Sequence, residues 1–154
     1  MNIYYFDSSA IIKRYMEEAG SKWVNSITSP AKGNLINIAQ IGMVEVSAAF
    51  SRKVREGIIS ELERDNILGI FIKDCKEQYQ IIEIGDRIIE SAINLTCTKP
   101  LRGYDAIQLA TASVINAAIT KKNLSSLIFL SADDNLIKVA KEEGLLTDNP
   151  NLHP

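Results

Sequence analysis

Short apolar runs recur along this chain, each followed by a longer segment with the 3.6-residue period of an amphipathic helix. The runs at 3–6, 34–38, 80–84, 127–131 and 145–147 read as strands. Helices are expected at 9–18, 21–27, 41–55, 60–78, 86–95, 105–118 and 134–143. Punctuation agrees: Gly57 and Gly144 stand where helices should stop, and Ser60 with Glu63 forms a capping-box pattern. Apolar strands this short, separated by helices, call for a parallel sheet covered on both faces. Ligands of such sheets bind beyond the carboxyl ends of the strands. Acids fall at two of those places: Asp7 follows the first strand, and Asp133-Asp134 follow the run IFLS.

Composition narrows the chemistry. At 154 residues, one domain over 1–148 with a short tail at 149–154 is expected. MNIYYFDSSA lacks the charged and apolar regions of a secretory signal, and no apolar run approaches the roughly 20 residues of a membrane span. A cytoplasmic protein without membrane contact is therefore expected. Cys75 and Cys97 suit neither a disulfide framework nor a zinc site, and fit a reducing compartment. The net charge of -2 lacks the overall basic footprint of many nucleic-acid binders. Local basic groups exist at Lys13-Arg14, Arg52-Lys53 with Arg55, Arg102, and Lys121-Lys122, and solvated helix faces explain most such groups. The single histidine, His153, is next to last. Catalysis by Ser-His-Asp or Cys-His needs a histidine on a rigid element, so both are disfavoured. Any catalysis falls to carboxylates, lysine or a bound metal.

The aspartates each have an ordinary structural account. Asp7 in YYFDSSAII, and Asp133 and Asp134 in FLSADDNLIKVA, are normal N-cap residues. Asp105 in LRGYDAIQLATA lies in a first helical turn, where the helix dipole favours a negative charge. Glu45 in MVEVSAAF cannot be a cap. At about 100° per residue, Met43, Val46, Phe50 and Val54 form the apolar stripe of its helix. Glu45 lies off that stripe near Ala48, Ala49 and Arg52, where a surface ion pair with Arg52 and an approachable carboxylate are both open. On Asp105's helix, Ile107, Ala110 and Val114 make the expected core face, with Gln108, Leu109, Ala112 and Asn116 nearer the aspartate. Four carboxylates in one pocket would repel one another. A hard divalent cation such as Mg²⁺ or Mn²⁺ removes that conflict and needs no histidine.

These segments resemble a known family. FDSSAIIKRYM, the glutamate of MVEVSAAF, LRGYDAIQLATA and FLSADDNLIKVAKEEGL look like the four acidic motifs of PIN-domain nucleases, in order, from Met1 to about Leu146. The likeness is closest to the VapC-type toxins of toxin–antitoxin pairs. It implies an α/β/α sandwich with a mainly parallel, five-stranded sheet, often dimeric. It also implies Mg²⁺- or Mn²⁺-dependent cleavage of single-stranded or looped RNA, and an antitoxin protein as partner. Carried over, Asp7, Glu45, Asp105 and Asp133 are the catalytic and metal-binding acids, with Asp7 and Asp105 the main anchors. Asp134 is the rival for the fourth place. Ser9 matches a small hydroxyl position near the first acid. Lys13, Arg14, Arg52, Lys99 and Arg102 are candidates to follow the RNA backbone, Arg102 also being placed for a salt bridge with Asp105. The stretch ITKKNLSS is somewhat longer than in compact members.

Other readings fit less well. A PIN-fold binding module without cleavage would not need all four acids. A receiver-type signalling domain wants paired acids after the first strand and a lysine after the last. A haloacid-dehalogenase-like phosphatase needs an aspartate where Ser9 stands.

Overall fold

The computed structural model describes residues 1–154 and gathers five strands into one sheet. They are β1 (Ile3–Phe6), β2 (Leu35–Ala39), β3 (Gln80–Ile82), β4 (Ile128–Leu130) and β5 (Leu146–Asp148), in the order β3-β2-β1-β4-β5. Every neighbouring pair is parallel. Along β1, successive side chains point to opposite faces, so Ile3 and Tyr5 join one core while Tyr4 and Phe6 join the other.

Helices α1 (Ser8–Ile11), α2 (Ser21–Thr28), α3 (Gln40–Arg55) and α4 (Glu61–Glu77) cover the Tyr4–Phe6 face. Ile11, Val24, Val46, Phe50 and Phe71 pack there on Ile36 and Ile38. On the other face lie α5 (Asp86–Thr98), α6 (Gly103–Lys121) and α7 (Asp134–Glu142), burying Ile88, Leu95, Leu109 and Leu136 against Phe129. The three-layer α/β/α sandwich is as expected from the sequence, and the sheet is wholly parallel.

Three local expectations are corrected. The first helix does not run to Glu18; it stops at Ile11 and tightens into a 3-10 turn, Ile12–Arg14. Contacts outside the helix outweigh the periodicity there: Lys13 bonds Glu18 just downstream, and Arg14 turns inward to the distant Tyr79 and Asp74. The helix expected to end near Ala118 runs on to Lys121, taking in the first residues of ITKKNLSS, and Asn123 follows it in a left-handed conformation, φ 56°. Finally, α6 has no narrow stripe of Ile107, Ala110 and Val114. Ala106, Leu109, Ala110 and Ala112 are all fully buried, because α5 packs against α6 while the sheet covers its other side.

The last residues are also anchored. Pro150–Leu152 form a 3-10 turn beside α2, and the His153 ring stacks on Trp23 with centroids 4.0 Å apart. Gly20, at φ 86°, lets this turn approach: a Cβ there would stand 2.1 Å from the Pro150 carbonyl oxygen. No helix is long and apolar enough to cross a membrane.

Candidate functional site

The carboxyl ends of β1 and β4 open into a cleft of about 850 Å³. Asp7 continues β1, its N–H donating to the Leu130 carbonyl at 3.0 Å. Its carboxylate caps α1: Oδ1 accepts from Ala10 N at 2.9 Å and from Ser9 Oγ at 2.7 Å. Oδ2 accepts from Ser131 Oγ at 2.6 Å. With only 5% of its surface exposed, Asp7 has its pKa pushed up to about 6. Burial is the main cause, opposed by those hydrogen bonds and reinforced by the charge of Glu45.

Glu45 projects from α3 and is half-buried. Gln108 Nε2 of α6 donates to its Oε1 at 2.8 Å, and Gln108 Oε1 accepts from the Tyr5 hydroxyl. Burial holds the Tyr5 pKa well above its ordinary value, so the phenol keeps its proton to donate. A buried chain from the central strand thus sets the direction of Glu45. Gly42 lets α3 sit close to β2 beside this chain: a Cβ there would meet Ile38 at 3.2 Å.

Asp105, in the first turn of α6, has a raised pKa, through burial first and then the charges of Asp133 and Glu45, against the pull of Arg102. Asp133 caps α7, accepting from Asn135 N at 2.9 Å and Leu136 N at 3.1 Å, and remains exposed to the cleft. Asp134 turns away to accept from Asn149 Nδ2 at 2.8 Å and does not line the cleft. Along the rim stand Arg52, Arg55 and Arg102, none of which enters a salt bridge. The plain surface pairs Glu45–Arg52 and Asp105–Arg102 do not form.

No family model and no curated protein matches the chain. Solved structures do. VapBC2 from Rickettsia felis, bound to a DNA fragment from its promoter, superposes with a TM-score of 0.62 at 17% identity, over 96% of this chain and 98% of that one. A toxin–antitoxin complex from Klebsiella pneumoniae gives 0.58 at 18%, over 95% and 96%. VapBC-1 from nontypeable Haemophilus influenzae gives 0.59 at 12%, over 96% and 97%. The chain has the PIN-domain fold. At these identities the likeness is one of fold.

Within this PIN fold the four acids expected from the motifs line one cleft, together with Ser9 and Arg102. Two expected backbone-binding groups lie elsewhere. Arg14 donates to the Tyr79 hydroxyl at 2.9 Å and pairs with Asp74 at 3.5 Å, and Lys99 pairs with Glu142 at 2.9 Å. Sequence reasoning placed Gln108 near Asp105 but gave neither it nor Ser131 a role in the site. Their signal was a lone polar residue in an apolar run: Gln108 in AIQLA, and Ser131 closing IFLS.

The donor set of the PIN cleft also bears on a metal. No three Asp, Glu, His or Cys side chains stand close enough together to ligate one ion directly. The acids do share a field, since Glu45 raises the pKa of both Asp7 and Asp105, and no cation among them offsets it fully. This fits a hydrated hard cation held by one or two carboxylates and by waters, which is how Mg²⁺ usually binds. It does not fit a closed cage of protein ligands.

Proposed function

We propose that this protein is an Mg²⁺- or Mn²⁺-dependent endoribonuclease that cuts single-stranded or looped RNA, and that it serves as the toxin of a toxin–antitoxin pair. One observation carries the reading: four carboxylates from distant segments line a single cleft rimmed by unpaired arginines. Asp7 and Asp105 are the ion's anchors, with Glu45 and Asp133 acting directly or through water. A divalent ion there supplies an acidified water and offsets charge developing on the phosphate. The chain's own residues do the rest. Gln108 fixes the Glu45 carboxylate, Ser9 and Ser131 fix that of Asp7, and Arg52, Arg55 and Arg102 hold phosphates.

The antitoxin belongs to the same proposal. A groove of about 510 Å³, lined by Tyr15, Met16, Ile58, Ile59 and Ile67 and edged by Glu17 and Glu63, has the character of a protein-binding surface. A homodimer is proposed as well; Ile89 and Ile93, exposed one turn apart on α5, offer apolar surface for it.

The test is cleavage of a panel of structured RNAs with Mg²⁺ or Mn²⁺, with and without EDTA, by the wild type and Asp7→Asn. Metal-dependent cleavage by the wild type alone is expected; equal cleavage by both would sink the site. For the biological role, expression should arrest growth and a small co-encoded protein should relieve it. A second reading, a binding module without cleavage, has one observation in its favour. Asp7's carboxylate is already satisfied by three internal hydrogen bonds, as a purely structural cap would be. Wild-type inertness with every metal, alongside tight protein binding, would select it.

A further inference from the structure

We propose that Lys13 is a phosphate-binding residue of the cleft, held by Glu18 until a nucleic-acid strand arrives, and that it grips a backbone phosphate flanking the one cut. The inference rests on the nuclease reading.

Lys13 is a buried cation that the proposed chemistry leaves unused. Its surface is 4% exposed, yet it lines the cleft. An ammonium carries three N–H donors. Here it has one partner, Glu18 Oε2 at 3.1 Å. Lysine on an ordinary surface extends its stem and leaves its charge in water. A buried ion pair that serves stability alone needs its remaining donors satisfied. Lys13 does neither; it keeps donors free beside an open, polar cleft.

Its position suits an anion more than the four acids. Its salt bridge is to Glu18, and Lys13 pairs with none of the four acids. Lys13 sits on the 3-10 turn that directly continues α1, the helix capped by Asp7, so its spacing from that acid is fixed. Arg52 and Arg55 lie on α3 seven and ten residues beyond Glu45, roughly 10 and 15 Å along the helix axis. Cations therefore stand on two separate elements around the acids, as a bound phosphodiester chain would require. Glu18 is partly exposed, with 33% of its side chain in solvent. Water can replace Lys13 on it when a phosphate takes the ammonium.

The experiment uses a fluorescent single-stranded RNA oligonucleotide. Binding is followed by anisotropy over a salt series in the Asp7→Asn chain, and cleavage kinetics in the otherwise wild-type chain. Lys13→Met should raise KM about tenfold with the loss falling on KM rather than kcat, and should flatten the log–log salt slope by about one. Lys13→Arg should keep the slope. Glu18→Gln should tighten binding about threefold, opposite in sign to Lys13→Met. If the pair merely pins its turn, both Lys13→Met and Glu18→Gln lower Tm, weaken binding alike and leave the slope unchanged, and the proposal is overturned. Should Lys13→Met not fold, Glu18→Gln decides: no tightening overturns it. A wild-type chain that neither binds nor cleaves removes the nuclease reading and this inference together. Binding that is indifferent to Lys13 removes this inference alone.

Discussion

Asp7 and Asp133 occupy equivalent places. Each follows one of two adjacent parallel strands, each caps the next helix, and each is bonded to Ser131. Their surroundings differ. Asp7 is enclosed and accepts from two serines as well as its own helix, whereas Asp133 is exposed and accepts only from the first turn of α7. Burial drives the Asp7 pKa up to about 6. Capping and chemistry are thus not rival roles for a strand-end acid: the helix N–H groups orient the carboxylate, and depth determines how costly its charge is.

The strongest way to break this comparison is Asp7→Asn, expected to lower cleavage at least a hundredfold while raising Tm in the absence of divalent ions. The sign follows from linkage. Asp7's folded pKa lies above its ordinary value of 3.8, so its stabilising contribution is complete below about pH 4 and is lost as pH rises through about 6. The stability advantage of the variant should therefore widen between pH 4 and 6 and stay level above, reaching at most about 3 kcal/mol, with Tm following it. An advantage that shrinks with pH would contradict burial as the cause. Conversely, Mn²⁺ needs the ionised carboxylate, so its stabilisation of the wild type should fade below about pH 6.

Asp133→Asn should cost about tenfold in cleavage and leave Tm close to that of the wild type, since asparagine caps as well as aspartate. A loss as deep as that of Asp7→Asn would erase the asymmetry. Ser131→Ala removes one donor from Asp7, which should raise its pKa further. The acidic limb of the rate profile should then move to higher pH, with a severalfold loss near pH 6.5 recovered in alkaline buffer. The smallest effect is expected of Asp134→Asn, under twofold in cleavage. A loss matching that of Asp133→Asn would exchange the two assignments.

Much of this was legible in the sequence because it is local. Strand runs, helix periods and the Ser60 cap depend on neighbouring residues, and the Ser60 hydroxyl does accept from Glu63 N. The four acids were legible as motifs. What escaped were choices made by contacts distant along the chain. Whether Glu45 points at Arg52 or Gln108 depends on a Tyr5 hydroxyl on another layer's strand. The early end of α1 depends on where Tyr79 and Asp74 lie, and the burial of α6 depends on α5 outside it. Between Asp133 and Asp134, local cues were equal; Asn149, brought near by β5, draws the second aside.

The strand order has a consequence in time. β1 precedes the other strands in the chain, its sheet neighbour β4 follows β2 and β3, and the hydroxyl that holds Asp7 Oδ2 lies 124 residues downstream. Asp133 comes later still, and Asn151, which also lines the cleft, later again. A growing polypeptide on the ribosome therefore carries Asp7 and Glu45 long before it can assemble a cleft around them, and the site first exists only once β4 and the acid after it have been made.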